Sequence, residues 1–274
     1  MTWKLECGEY ILYIIEDGFY WRDPATYYPR ATDHDWRFHP RNERGQARLN
    51  FGCYLITDGE RTMMVDAGVG ELDQEGMTTG LMPEAVDALG VPRDSVETVV
   101  YTHMHYDHIG GSRRAGKLVF PNARHVFHTK EWEFWKTVDS DFGEAARRIM
   151  QPLFDSGVVD FIDGDREVLA GITALESFGH TPGHLTVGIA SGGTRTIIGG
   201  DVSNHPFQVE HPQWSLPVDT DHELCGDTRD RLFESIRDTD TTFLAGHYPM
   251  PGVGKIVTDD GARVYRPGSP VKTG

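Results

Sequence analysis

Thiols are scarce: Cys7, Cys53 and Cys225 are the three cysteines of a 274-residue chain. They are odd in number, far apart and in no C-x-x-C pair, which supplies neither a disulfide framework nor a thiolate zinc knuckle. Positive charge is short as well, with 26 Lys and Arg against 42 Asp and Glu and a formal net charge of -16. Phosphate backbones are bound by clustered Lys and Arg, and basic residues here reach no further than pairs such as Arg113-Arg114, so nucleic acid is set aside as a partner. Long apolar runs are missing too. The longest lies near Tyr10 to Ile15, far below the roughly 18 residues of a membrane helix, and a membrane partner is set aside with it. Met1 to Glu6 has no basic stretch, apolar core or small-residue cleavage site of a secretory signal, so the expected location is cytoplasmic. Nor is there a G-x-S-x-G elbow, a Walker loop, an H-E-x-x-H pair or a G-x-G-x-x-G fingerprint, which weakens serine-hydrolase, nucleotide-binding and dehydrogenase readings.

What is present is a rhythm of short apolar runs bounded by Gly, Asp or Pro: Tyr10 to Glu16, Cys53 to Thr57, Thr62 to Asp66, Glu97 to Thr102, Arg124 to His128, Thr173 to Phe178, Leu185 to Ala190, Thr194 to Ile198, Thr242 to Ala245 and Lys255 to Thr258. These predict strands. Pro83 to Leu89, Lys130 to Val138 behind the cap residue Thr129, Phe142 to Phe154 and Asp221 to Asp238 predict helices. The class is α/β with an excess of strand, and a chain of this length can bury roughly 70 to 75% of its unfolded surface in one core. A single domain over residues 1–274 is therefore expected. Two segments fit neither pattern: 20–50, rich in aromatics, Pro, Arg and His, and 204–220, with His205, Phe207, His211 and Trp214. Such stretches either cap the ends of sheets or act as substrate-covering loops.

Thirteen histidines are present, and their placement carries chemistry. Residues 102–111 read Thr-His-Met-His-Tyr-Asp-His-Ile-Gly-Gly, directly after an apolar strand. Extended residues two apart point the same way, so His103 and His105 can reach one ion together, while Asp107 and His108, at the turn into a helix, serve a second. Further polar residues recur just beyond strand ends: His180 and His184 in Phe-Gly-His-Thr-Pro-Gly-His, Asp201 in Gly-Gly-Asp, and His247 in Gly-His. A sheet that delivers ligands from several strand ends to one edge builds a rigid site in a crevice.

Taken in order, Val65-Asp66-Ala67-Gly68, T-H-M-H-Y-D-H-I-G-G, F-G-H-T-P-G-H, G-G-D and A-G-H-Y-P-M-P-G resemble the motifs of the metallo-β-lactamase-fold hydrolase superfamily, nearest to its lactonase and methyl parathion hydrolase-like branch. The resemblance implies a four-layer αβ/βα sandwich with a dinuclear metal site at the sheet edge. Carried over position by position, it implies that His103, His105 and His180 hold one ion, that Asp107, His108 and His247 hold the other, and that Asp201 bridges them. His184 and Asp66 then support the ligands. His105 stands where flavodiiron relatives carry Glu, and Asp201 where the principal zinc β-lactamases have Cys or no bridge. Both departures turn the reading from oxygen reduction and antibiotic hydrolysis toward small-molecule hydrolysis.

The expected activity is opening of a lactone, or cleavage of an ester, by a hydroxide that bridges two divalent metal ions, with acyl-homoserine-lactone-type substrates favoured. A phosphotriesterase resembling methyl parathion hydrolase and a glyoxalase II-like thioesterase are the alternatives, and a non-catalytic metal-binding protein is a minor one. Zinc is the expected metal because imidazoles dominate the ligand set, which also accepts iron, manganese or cobalt. Asp107 is the expected catalytic proton carrier. Tyr28, Trp36, Phe38, Phe207 and Trp214, with Tyr27 beside them, are candidates for an apolar substrate wall. Asn204 joins them, at the position where one group of quorum-quenching lactonases places a Tyr. The aromatic segment near the N-terminus also suits a homodimer.

Overall fold

A computed structural model describes residues 1–72 and 74–273. Two sheets dominate it. The first has nine strands: Val159–Ile162, Arg124–His128, Thr98–Val100, Thr62–Val65, Ala47–Thr57, Tyr10–Arg22, Thr2–Cys7 and Val271–Lys272 in spatial order, with Met77–Thr78 paired to the side of Tyr10–Arg22. The second has seven: Arg166–Leu169, Ile172–Glu176, Leu185–Ser191, Thr194–Ile198, Thr242–Leu244, Val253–Asp259 and Ala262–Pro267. The inner faces meet in one core, where Leu12, Ile14, Tyr54, Val65, Val100 and Val126 of the first sheet pack on Val187, Ile189, Ile198 and Leu244 of the second. Each such aliphatic side chain, fully buried, contributes on the order of 1.5–3 kcal/mol.

Helices cover both outer faces. Met82–Ala88, Thr129–Trp135 and Asp141–Asp155 lie on the first sheet, burying Val86, Trp135, Ile149 and Leu153 against Leu55, Met64 and Phe127. His222–Ile236 lies on the second, with Phe233 and Ile236 against Phe243 and Ile256. Helix, sheet, sheet, helix is the four-layer αβ/βα sandwich. Capping explains the helix starts: Ser140 accepts from the Gly143 amide, Asp221 from Leu224, and His128, one residue earlier than the expected Thr129, accepts from Lys130 through Nδ1.

Other boundaries move for physical reasons. The strand predicted over Tyr10 to Glu16 runs on to Arg22, because the buried Glu16 is paired with Arg48 at 2.8 Å and the buried Asp17 accepts from the amides of Val69 and Met82. The strand predicted from Cys53 begins at Ala47. The segment expected to be irregular over 20–50 therefore shrinks to 23–46, with a turn of helix at Pro24–Tyr27. Its aromatics fold inward with those of 204–220: Tyr28, Trp36, Leu49, Phe207 and Leu216 form a small core of their own. Of the N-terminal aromatics, Tyr28 and Trp36 are buried, while Tyr20, Trp21, Tyr27 and Phe38 are half-buried. No helix among the described residues is long and apolar enough to cross a membrane.

Candidate metal centre

The candidate ligands follow the carboxyl ends of strands, with Asp107 and His108 on the short helix Tyr106–Ile109 beyond one of them. Thr62–Val65 leads to Asp66, Thr98–Val100 to His103–His108, Ile172–Glu176 to His180, Thr194–Ile198 to Asp201, and Thr242–Leu244 to His247. Two local devices aim them. Asp66 adopts φ 59°, a left-handed conformation that Asp tolerates better than most residues, and turns its carboxylate beneath the neighbouring strand end. There it accepts from the Thr102 amide at 2.8 Å, from the Thr102 hydroxyl, and faces His108 Nδ1 at 2.8 Å. Gly200 has φ +52° and a Cβ there would stand 2.8 Å from His184 Nε2 and 2.9 Å from Thr102 Cβ. Glycine alone lets the backbone carry Asp201 this close to the opposite sheet.

The structure brings the seven side chains together. His103, His105 and His180 form one group of converging donors, Asp107, His108 and His247 another, and Asp201 closes a third with His103 and His108. Asp201 lies between the groups: Oδ1 is 3.2 Å from His108 Nε2, while Oδ2 is 3.2 Å from His247 Nε2, 3.4 Å from His180 Nε2 and 4.0 Å from His103 Nε2. Asp107 Oδ2 is 3.4 Å from His247 Nε2 and 3.8 Å from His108 Nε2.

Nearly every imidazole has its second nitrogen tied down, which fixes ring orientation. His180 Nδ1 is 2.7 Å from Asp219, His247 Nδ1 donates to the Asn50 carbonyl at 2.7 Å, and His103 Nδ1 is 3.1 Å from the Thr102 hydroxyl. His184, the expected supporting residue, holds the backbone of Asp201: its Nε2 accepts from the Asp201 amide at 3.0 Å, and its Nδ1 faces Ser177 Oγ at 3.0 Å.

Two observations test whether this cage fits metal ions. Among the described residues, His103 Nε2, His108 Nε2 and Asp201 Oδ1 are buried with no hydrogen-bond partner, and buried polar atoms are seldom left so without a ligand to satisfy them. His105 Nδ1 and His180 Nε2 face each other at 3.0 Å, close to the roughly 3.3 Å between donors on a tetrahedral ion with 2.0–2.1 Å bonds. The residues fit. The electrostatics divide the site: burial and then the neighbouring imidazoles hold His103 and His105 well below the ordinary histidine range. His108 and His247 go the other way, because Asp201 and the other facing carboxylates outweigh burial. His108 is well above its usual value and His247 is lifted to about 9. Burial pushes Asp201 up, but His247 and His108 more than offset it and hold the carboxyl well below its ordinary range.

The wall candidates fare differently from one another. Tyr27, Tyr28 and Trp214 line a cavity of about 480 Å³ together with Arg30, Gln213 and His222. Trp36 and Phe207 are packed inside the cover, at 1% and 0% exposure, and Phe38 packs edge-on against Tyr265. None of the three lines that cavity. Asn204 lines nothing in that cavity; its Nδ2 donates to Asp201 Oδ2 at 2.7 Å. Sequence reasoning missed Gln208, which is buried and joins the two regions. Its Oε1 accepts from the Asn204 amide at 2.8 Å, while its Nε2 donates to the Tyr28 hydroxyl at 3.0 Å and the Trp214 carbonyl at 2.7 Å. Asp219 and Glu131 were missed too; neither belongs to a local motif, and each meets its partner only in three dimensions.

Comparison with known proteins agrees with the geometry. An N-acyl homoserine lactonase of Bacillus thuringiensis is 25% identical over 215 residues, spanning 71% of this chain and 80% of that protein. Among solved structures, the dizinc quorum-quenching lactonase AidC, in complex with a product, superposes with a TM-score of 0.85 at 22% identity, covering 98% of this chain and 97% of the other. The hydrolase AbOPH of the beta lactamase superfamily gives 0.85 at 21% identity over the same shares. The family model of the metallo-beta-lactamase superfamily matches residues 53–247, which hold all seven converging side chains, and the chain belongs to that superfamily.

Proposed function

We propose that the chain is a dinuclear metal-dependent hydrolase that opens lactones of the N-acyl homoserine type. The observation that carries this reading is Asp201, one carboxylate within 4.0 Å of imidazoles from both donor groups. The lactonase relatives and the product complex of AidC support the substrate class. We assign one ion to His103, His105 and His180, the other to Asp107, His108 and His247, and the bridge to Asp201. Zinc suits a donor set in which imidazoles predominate. The whole chain is read as one catalytic domain, with 23–46 and 204–220 as its substrate cover.

When bound, a pair of divalent ions brings the pKa of a shared water toward neutrality and polarises the carbonyl under attack. The residues do the rest. Asp107 is the ligand most open to solvent, its side chain 26% exposed, so its carboxylate oxygen not engaged by an ion can take the proton of the attacking water and return it to the departing alkoxide oxygen of the opened ring. Asn204 Nδ2 holds Asp201 Oδ2 against rotation. We assign the acyl chain to the cavity beside Tyr27, Tyr28 and Trp214, which none of the seven donors lines and which is joined to Asp201 by hydrogen bonds through Gln208 and Asn204.

The test is a pair of initial rates, with zinc-loaded and chelated protein, on a long-chain N-acyl homoserine lactone and on an aryl dimethyl phosphotriester. Fast lactone opening lost on chelation is the expected result. A dominant phosphotriester rate would overturn the substrate class, and turnover that survives chelation would overturn the metal mechanism.

A further inference from the structure

Behind the all-histidine half of the site lies a buried carboxylate that belongs to neither donor group. Glu131, on the helix Thr129–Trp135, is 1% exposed. A charged side chain so deep must be fully hydrogen-bonded to be tolerated, and three donors reach it. Oε2 accepts from the Met104 amide at 2.9 Å and from the Trp135 indole at 2.9 Å, and Oε1 accepts from the Gly183 amide at 2.9 Å.

The identity of those donors is informative. Met104 stands between His103 and His105, and Gly183 lies in the same tight loop as His180. Trp135 in turn packs its ring against His105, 5.3 Å between centroids. The approach is close: a Cβ on Gly183 would lie 2.6 Å from the Glu131 backbone nitrogen, so only glycine lets this loop sit on the helix. One carboxylate thus bonds both loops that carry His103, His105 and His180, from two different sheets. It makes no hydrogen bond to Asp107, His108 or His247, whose support comes from Asp66 and the Asn50 carbonyl.

We propose that Glu131 is the positioning residue of the all-histidine half: it clamps the 103–105 and 180–183 loops together so that three imidazoles converge on one point, and sets the affinity of that half for its ion without touching the ion. The proposal rests on the metal assignment above and deepens it.

The experiment is a titration of metal-free protein with cobalt(II), read by visible absorbance and by equilibrium dialysis, in two backgrounds. His247→Ala leaves the all-histidine half intact, and His180→Ala leaves the mixed half. Glu131→Ala is expected to weaken cobalt binding about 10- to 100-fold in the His247→Ala background, the usual cost of losing a group that orients metal ligands. It should change it less than about threefold in the His180→Ala background, within ordinary scatter for a remote site. Glu131→Gln keeps one acceptor oxygen and should fall between. Trp135→Phe removes only the indole donor and tests the same selectivity should either Glu131 variant fail to melt cooperatively. Equal losses in both backgrounds, losses confined to the His180→Ala background, or no loss in either would overturn the proposal. A parent protein that binds no cobalt would instead overturn the metal assignment itself.

Discussion

His103, His105 and His180 are buried, at 0%, 4% and 1% exposure, and their carboxylate partners stand behind them or to one side. Asp107, His108 and His247 mix a carboxylate with two imidazoles, and Asp107 opens to solvent. The contrast follows from the cost of burial. A neutral imidazole enters a low-dielectric interior cheaply, whereas a carboxylate does so only with donors or water around it. On the proposed assignment the first half holds an ion, with Asp219 on the His180 ring, Trp135 against His105 and Glu131 on the loops that carry them. The second, on the same assignment, exchanges protons with something arriving from outside. Asp201 belongs to both, which makes the halves one chemical unit.

The comparison can be broken most severely at that shared point. Asp201→Ala is expected to lower lactone turnover by several orders of magnitude and to weaken both equivalents of metal; retention of one full-affinity equivalent, measured by dialysis and elemental analysis, would show the halves to be independent. Asp107→Asn sharpens the division of labour: kcat should fall about 10²- to 10⁴-fold, the range for a positioned proton-transfer group, with KM nearly unchanged and a much smaller loss of metal from the mixed half. If metal is lost in proportion to rate, Asp107 is a ligand before it is a proton carrier.

Smaller effects separate the supports. Asp219→Asn should cost about 10- to 100-fold in metal affinity at the all-histidine half, and Asp66→Asn the same at the mixed half, the usual weight of a carboxylate behind a ligating histidine. Stepwise cobalt titration of each variant reads the assignment directly, and a crossed pattern would reverse it. Asn204→Ala is the mildest. Removing a hydrogen bond to a carboxylate costs about 1.5–3 kcal/mol, seen as a lower melting temperature of the metal-free protein, with both metal equivalents still bound. Unchanged melting would mean that the Asn204 amide does not restrain Asp201.

The places where donors gather were legible because apolar runs closed by Gly or Asp mark strand ends, while the choice of His180 over His184 and of Asp201 as bridge came from the resemblance to the superfamily motifs. His103 and His105 also advertise themselves by spacing alone. What holds them was not legible. Asp219 meets His180 across 39 residues, Gly183 meets Glu131 across 52, and the Asn50 carbonyl meets His247 across 197. A backbone carbonyl, moreover, carries no side-chain signature at all. Glu131 reads in one dimension as an ordinary polar residue in the first turn of a helix. The same limit explains the strand Tyr10–Arg22: Glu16 and Asp17 look like its end until Arg48 and the amides of Val69 and Met82 are folded against them. The aromatics of 23–46 and 204–220 were visible in composition, but composition could not say that Trp36 and Phe207 are buried in a core of their own while Tyr27, Tyr28 and Trp214 line a cavity.

That cover has a core separate from the cores of the sandwich, built on Tyr28, Trp36, Leu49, Phe207 and Leu216. Two links tie it to the donor cage: Gln208 and Asn204 lead to one oxygen of Asp201, and the Leu216 amide bonds Asp219, which holds His180. The side chains that line the cavity without sharing in either link are therefore the ones that selection or laboratory evolution can exchange while the donor cage is inherited intact. A library confined to the Tyr27 and Trp214 side chains should shift chain-length preference with full metal occupancy, and widespread metal loss in it would show that they are not separable from the cage.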